Sequence, residues 1–275
     1  MITINQLAFS YGKNEVLKNI TLSLEEGRIY GLLGENGVGK TTLLTLLCGL
    51  KKPASGTILV DGLQPFERTP TFLNDQYYLP DESAPAKMTP IQYARCYGRF
   101  WESFKMDIFT EIMELFETST EQRMDKMSSG QLKKTHIAFA VACRTRYLFM
   151  DEPTNGLDIP SKAQFRKVVM KYTREDATIL ISTHQVRDLE NIIDPIIILD
   201  RQDVLLNASM AEISSKLFFD YSNEKKEGTL YSEITPGGCI QVSINTTGED
   251  SKVNTEALFN TVHMHKELIK DTFNR

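Results

Sequence analysis

Gly34-Glu35-Asn36-Gly37-Val38-Gly39-Lys40-Thr41-Thr42 is the stretch on which the fold assignment turns. It fits G-x-x-x-x-G-K-[ST], in which glycines let successive backbone N–H groups turn inward around the oxygens of a nucleotide's phosphates. We assign nucleotide binding here to Gly34, Asn36, Gly37, Gly39, Lys40, Thr41 and Thr42. Lys40 is in position to reach the β- and γ-phosphates, and the Thr41 hydroxyl suits a Mg²⁺ ligand. The run Leu43-Leu44-Thr45-Leu46-Leu47 then carries the chain into a helix whose positive N-terminal end faces the anion. Ahead of the loop, Arg28-Ile29-Tyr30-Gly31-Leu32-Leu33 reads as a buried strand, and Gly49 stands where a helix commonly ends. A glycine-rich turn that binds nothing can carry the same letters; the order strand, glycine loop, helix sets this one apart.

Working outward, 275 residues hold one large α/β domain or a domain of about 200 residues with an appendage. A hydrophobic content of 41% and a charged content of 24% are ordinary for a globular chain. The net charge of -5 gives no sign of a nucleic-acid footprint, so no nucleic-acid partner is expected. Cys48, Cys96, Cys143 and Cys239 form no C-x-x-C pair, which suits a reducing compartment and argues against a zinc site or disulfide framework. No secretion signal opens the chain, and its longest apolar segments fall well short of the roughly 18 residues needed to span a bilayer.

The segment Ile2 to Phe9 alternates as a strand, a turn follows at Tyr11-Gly12-Lys13-Asn14, and Val16 to Leu24 and Thr57 to Val60 complete an antiparallel β-region. From about Met88 the texture becomes helical. Thr89, Pro90 and Gln92 form a capping-box start, and Ile91, Ala94, Tyr97, Trp101 and Phe104 recur at helical spacing. A second helix from Asp107 buries Ile108, Ile112, Leu115 and Phe116. We read the aromatic stripe as core, with an exposed partner-binding edge as the other reading. The apolar runs Tyr147 to Met150 and Thr178 to Ile181, separated by a helix over about Ser161 to Thr173, indicate parallel strands covered on both faces. The polar segment Asp220 to Gly228 is a boundary candidate. Beyond it Leu230 to Ile234 and Cys239 to Ile244 flank Pro236-Gly237-Gly238 as a hairpin, and a last helix gathers Leu258, Phe259, Val262, Leu268, Ile269 and Phe273 on one face. His263 and His265 diverge on a helix, so they are expected on a solvated face rather than around a metal.

The strand Tyr147 to Met150 ends in Asp151-Glu152-Pro153. Beside a phosphate loop, Asp151 suits the carboxylate that holds Mg²⁺, and Glu152 is placed to polarise a water in line with the γ-phosphate, as general base or water-positioning group. Away from such a loop, the two acids would be an ordinary solvated strand end. Met127-Ser128-Ser129-Gly130-Gln131 precedes the helix Leu132 to Ala142, with Ser128 and Gln131 at capping-box spacing. From the pentapeptide alone a simple helix cap is the preferred reading; the positive helix end also makes it a candidate second anion site.

Taken in order, Gly34 to Thr42, Met127 to Gln131, Tyr147 to Pro153, Asn155-Gly156-Leu157-Asp158 and Ser182-Thr183-His184 closely resemble the ATP-binding-cassette (ABC) family of nucleotide-binding domains, over roughly residues 1–205. The resemblance implies an α/β P-loop nucleotide-hydrolase fold with a mixed central sheet, an antiparallel β-subdomain and a helical insertion at about 85–142, leaving residues 206–275 as a small α+β C-terminal extension. It implies that Tyr11 stacks on adenine with Val16 beside it, that His184 contacts the γ-phosphate and attacking water, and that Asp158 crosses between subunits. It implies a head-to-tail homodimer or pseudodimer in which Ser128, Gly130 and Gln131 of one chain complete the ATP site of the other. The catalytic set is then Lys40, Glu152 and His184, with ATP and Mg²⁺ as cofactors.

Two departures stand out. The signature carries Met127 and Ser129 where the family usually has Leu and Gly, and a side chain at Ser129 could weaken the closed dimer. The loop that commonly supplies a Mg²⁺-binding glutamine is Tyr77-Tyr78-Leu79-Pro80-Asp81-Glu82, with Asp81 or Glu82 in that place; we assign Asp81. This Leu-Pro-acid form resembles bacterial export-type subunits. The resulting expectation is the ATPase subunit of an exporter, peripheral at the cytoplasmic face of the membrane and driving a separate transmembrane permease. The alternative is a soluble cassette ATPase of translation or DNA maintenance; a single cassette without a long coiled-coil insertion disfavours it, and the absence of an Asn-Lys-x-Asp motif disfavours a GTPase.

Overall fold

Residues 1–200, 203–224, 226 and 228–273 are described by the computed structural model; Lys225 and Glu227 of the expected boundary segment lie outside them. Period-two alternation builds the first layer. Strand β1 (Ile2–Tyr11) buries Ile2, Ile4 and Leu7, and pairs antiparallel with β2 (Asn14–Leu24). Strand β3 (Ile29–Leu33) leads through the glycine loop into α1 (Lys40–Leu47), and β4 (Ser55–Val60) pairs with the other edge of β1 to give the order β2-β1-β4.

The chain leaves α1 through Gly49 at φ +70°, and a β-carbon there would lie 2.0 Å from the Pro65 carbonyl oxygen. Gly49→Ala is therefore expected to destabilise the protein by at least about 2 kcal/mol, from left-handed strain plus the displaced backbone. Denaturant unfolding checks this; an unchanged midpoint would mean the 50–66 segment moves aside freely.

Helix α2 (Pro70–Asn74) precedes β5 (Gln76–Leu79). Then come α3 (Pro90–Tyr97), α4 (Met106–Leu115), α5 (Ser129–Ala142), β6 (Tyr147–Asp151), α6 (Ile159–Tyr172), β7 (Thr178–Thr183), β8 (Ile196–Asp200) and β9 (Asp203–Ala208). The central sheet runs β5-β6-β7-β3-β8-β9, parallel except for β9, which pairs antiparallel with β8. Alternate side chains serve two cores. Tyr30, Leu32, Phe149, Leu180, Ile197 and Leu199 face α1 and the antiparallel sheet. Leu33, Leu148, Met150, Ile179, Ile181, Ile196 and Ile198 face α4, α5 and α6. This two-sided burial is why the strands read as unbroken apolar runs.

Two elements depart from expectation. The stripe from Ile91 to Phe104 does not continue as one helix: α3 starts with the full Thr89–Gln92 capping box but ends at Tyr97, and Trp101 is extended. Gly98 keeps helical backbone and opens a single 3-10 turn to Phe100, with the Phe104 ring packed where a β-carbon would stand, and the Trp101 indole donates to the Gln76 carbonyl at 3.0 Å. The burial expected of the stripe holds for Ala94 and in part for Ile91, Trp101 and Phe104, the last two packing with Tyr77 and Tyr93 around the Phe139 ring, but not for Tyr97, which is exposed. The last helix is likewise two, α8 (Thr255–Met264) and α9 (Lys266–Phe273), as described below, so Leu268 turns outward while Ile269 is buried.

The C-terminal residues add α7 (Met210–Lys216) and the hairpin-containing sheet β10 (Leu217–Ser222), β12 (Gly238–Ile244) and β11 (Tyr231–Thr235), in the order β10-β12-β11. Strand β9 crosses the division expected at residue 205. The interruption between α8 and α9 falls at His265, whose ring hydrogen-bonds the Leu230 carbonyl at 2.7 Å. His263 is similarly engaged with the Phe259 carbonyl at 2.9 Å, so both imidazoles are half-buried and partnered rather than on a solvated face. Ile213, Leu217, Val242, Leu258, Val262 and Ile269 join the same core as α4 to α6. Lys266 pairs with Asp200, Lys270 with Asp203, and Glu256 with Arg187, tying this region to β8, β9 and the segment after His184. Among the described residues no helix is long and apolar enough to cross a membrane.

Candidate nucleotide site

Strands β6, β7 and β3 are neighbours, so their C-terminal ends present Asp151-Glu152, His184 and the glycine loop along one edge of the sheet. Gly37 at φ +79° and Gly39 at φ +112° take left-handed turns open to glycine, and α1 begins directly at Lys40. Lys40 is 6% exposed, and its ammonium donates to the carbonyls of Gly34 at 2.7 Å and Glu35 at 3.1 Å. Burial pulls its pKa down, opposed by the carboxylates of Glu152 and Asp151.

Asp151 has three side-chain partners. Its Oδ2 accepts from the Thr41 hydroxyl at 2.6 Å and lies 3.5 Å from the Tyr78 hydroxyl, while Oδ1 accepts from Ser182. Burial and the Asp151 carboxylate push the Tyr78 phenol well above its ordinary range, so it remains a donor. The donor chemistry fits the expected Mg²⁺: a hydroxyl and a carboxylate, hard oxygens side by side on the loop and on β6.

Glu152 sits in the left-handed region at φ +44°, a rare conformation for a residue with a side chain, and is nearly buried. Its amide donates to the Ser182 carbonyl at 3.1 Å. Its Oε1 is 2.8 Å from His184 Nδ1 and 3.9 Å from Lys40 Nζ. Strand pairing sets Ser182 opposite Asp151, so one serine steadies both acids. Ser182 and Tyr78 were quoted from sequence only as members of their motifs, with no role assigned to either; a polar residue closing an apolar strand was the available signal for Ser182.

A cavity of about 430 Å³ is lined by Tyr11, Val16, Asn36, Gly37, Gly39, Lys40, Thr41, Thr42, Asp81, Asp151 and Glu152, together with Asn14. The Tyr11 ring is 47% exposed, packs edge-on against Phe9 and has its hydroxyl 3.5 Å from the Thr42 hydroxyl. Ser128, Gly130, Gln131 and Asp158 do not line this cavity. Ser128 and Gln131 form a reciprocal capping box on α5, and Asp158 caps α6 by accepting from the Ser161 amide at 2.9 Å. That hydrogen bonding holds the Asp158 carboxyl below its ordinary range. Ser129 instead borders a second cavity of about 320 Å³ with Asp81, Lys133, His136 and Asn155.

A family profile described as "ABC transporter" matches residues 17–155. The chain is 31% identical over 194 residues to the ABC transporter ATP-binding protein YtrB of Bacillus subtilis, covering 70% of this chain and 66% of that one. It is 29% identical over 247 residues to NatA of the same organism, covering 84% and 96%. Against the bacitracin transport ATP-binding protein BcrA of Bacillus licheniformis, identity is 26% with 92% and 88% covered. A solved structure described as a dimeric post-hydrolysis state of the ATP-binding cassette MJ0796, bound to ADP and Pi, superposes with a TM-score of 0.67 at 21% identity over 76% of this chain and 98% of that one. At that identity the likeness concerns the fold.

Proposed function

Since the chain belongs to the ABC transporter ATP-binding proteins, we propose that it is the ATPase of an exporter, closing head to tail with a second cassette on ATP and driving a separate transmembrane permease from the cytoplasmic face of the membrane. The observation that carries this reading is the meeting of Lys40, Thr41, Asp151, Glu152 and His184 at the ends of β3, β6 and β7. The phosphate chain of ATP lies in the glycine loop with the Lys40 ammonium on its β- and γ-oxygens. Thr41 and Asp151 would hold Mg²⁺, which would neutralise phosphate charge when bound. Water attacks the γ-phosphorus, the bond to the β–γ bridging oxygen breaks, and ADP leaves with that electron pair. Glu152 receives the water's proton, with His184 fixing its carboxylate.

Because Ser128, Gly130 and Gln131 lie away from the cavity of their own chain, the reading assigns them to the γ-phosphate of a partner's ATP, with Asp158 crossing between the two. Tyr11 and Val16 receive the adenine. Export rests on the Leu79-Pro80-Asp81 loop form and on the relative named for bacitracin transport. The division of labour between residues 1–205 and 206–275 is part of this proposal, supported by the core that Ile213, Leu217, Leu258 and Ile269 share with α4 to α6, although β9 runs across residue 205.

Affinity purification of the tagged chain from detergent-solubilised cells is expected to bring down a polytopic membrane protein. Recovery of ribosomes or DNA with no transmembrane chain would overturn the transport assignment.

A further inference from the structure

Asp81 faces two cavities at once. With Thr41, Asp151 and Glu152 it lines the nucleotide cavity, and with Lys133, His136 and Asn155 it lines the second one. In this structure its carboxylate is turned to the second set: Lys133 Nζ donates to Oδ1 at 2.9 Å and to the Asp81 carbonyl at 2.5 Å, and Asn155 Nδ2 lies 3.3 Å from both carboxylate oxygens. The Lys133 side chain is only 11% exposed. Its neighbour His136 is 5% exposed with Nε2 unpartnered, and burial together with Lys133 lowers its pKa to about 4; the positive charge on this wall at neutral pH therefore belongs to Lys133.

We propose that Lys133 is a positioning residue that competes with the divalent cation of the nucleotide site for the Asp81 carboxylate. The inference rests on the nucleotide-site reading above and adds a second location for one of its acids. A carboxylate bound by the Lys133 ammonium has its charge already neutralised, and cannot at the same time give that charge to a cation beside Thr41 and Asp151. Lys133 stands on α5, the helix whose first turn is the Ser128–Gln131 capping box, and Asp81 on the loop between β5 and α3. Asn155, the third member, follows Glu152 on the loop after β6. The two carboxylate positions therefore differ in what they join: with Lys133 the loop is tied to α5, and with the cation it is tied to the phosphate loop. Cation and nucleotide together release α5 from the loop.

The test is an ATP titration of the purified full chain, by calorimetry or displacement of a fluorescent ATP analogue, once with Mg²⁺ and once with EDTA. The quantity read is the ratio of the two affinities, because removing a positive charge near the site acts on both. Lys133→Met is expected to raise that ratio about three- to fivefold, the range of a partly exposed ion pair. Lys133→Arg is expected to retain the wild-type ratio. Asp81→Asn is expected to lower it, and in the Asp81→Asn background Lys133→Met is expected to change nothing. A Lys133→Met ratio equal to wild type, or a rise that persists in the Asp81→Asn background, overturns the competition. Should Lys133→Met fold poorly, an unchanged ratio in Asp81→Asn alone overturns it. Wild-type protein that binds no ATP overturns the nucleotide-site reading itself, and wild-type protein that binds ATP equally with and without Mg²⁺ overturns the cation assignment on which the competition rests.

Discussion

Glu152→Gln is expected to leave ATP binding intact while reducing hydrolysis by about 10²-fold or more, the contribution typical of a positioned general base. The amide keeps the length of the side chain and can still meet His184 Nδ1, now 2.8 Å from Oε1, so the local geometry survives. What it loses is the capacity to take a proton and the negative charge 3.9 Å from Lys40 Nζ. Removing that charge leaves the Lys40 ammonium more available to phosphate, so ATP affinity is expected to hold or rise while turnover collapses. If the two cassettes close on ATP and open on hydrolysis, the variant accumulates as an ATP-bound dimer. Phosphate release and size-exclusion chromatography with ATP check the two halves of this result. Unchanged turnover would remove Glu152 from its proposed role; lost turnover without dimer would leave the chemistry in place and refute the head-to-tail closure.

The backbone at Glu152 supports the same assignment from another direction. A non-glycine residue at φ +44° costs roughly 1–2 kcal/mol, and the surroundings hold it there through the Ser182 carbonyl and hydroxyl and the His184 ring. A glycine would relieve the strain but carry no carboxylate. The carboxylate therefore stands at a position where backbone conformation alone would favour glycine.

What was legible in the sequence was local or periodic. The capping boxes at Thr89–Gln92 and Ser128–Gln131 are contained in four-residue windows; α3 begins at Pro90 as its window says, whereas α5 begins at Ser129, directly after the Ser128 cap and ahead of the expected Leu132. The strands β6, β7 and β8 each carry an apolar run, closed by Asp151, Ser182-Thr183 and Asp200, because both faces of the sheet are covered, and such a run shows that directly. The glycine loop was recognisable from its own strand context; the acids of β6 acquired a role only beside that loop, and Thr41 and Asp151, 110 residues apart, do touch. The illegible parts depend on partners distant in sequence. Periodicity carried α3 past Tyr97 because nothing in the stripe shows the Phe104 ring packing onto Gly98. The break at His265 depends on the Leu230 carbonyl, 35 residues away. Asp81 was assigned to the metal from its loop alone, and its engagement by Lys133, 52 residues on, has no local signature.

Lys40→Met is expected to reduce ATP affinity by about 10- to 100-fold, the equivalent of one or two charge-assisted hydrogen bonds. Methionine matches the aliphatic stem, which is buried at the start of α1, so the helix and its packing against β6 are retained. The ammonium is the group at issue. In this structure it bridges the carbonyls of Gly34 and Glu35 across its own loop, and burial already pulls its pKa downward. A lysine in that position is poorly solvated, so phosphate oxygens entering the loop replace weak partners with charged ones, and the gain exceeds that of an ammonium taken from water. The variant also leaves the two loop carbonyls without a donor, which adds a modest stability loss separable by thermal melting without nucleotide. A fall in melting temperature with undiminished ATP affinity would reduce Lys40 to a brace for the loop. Loss of affinity with an unchanged melt would place its charge on the nucleotide.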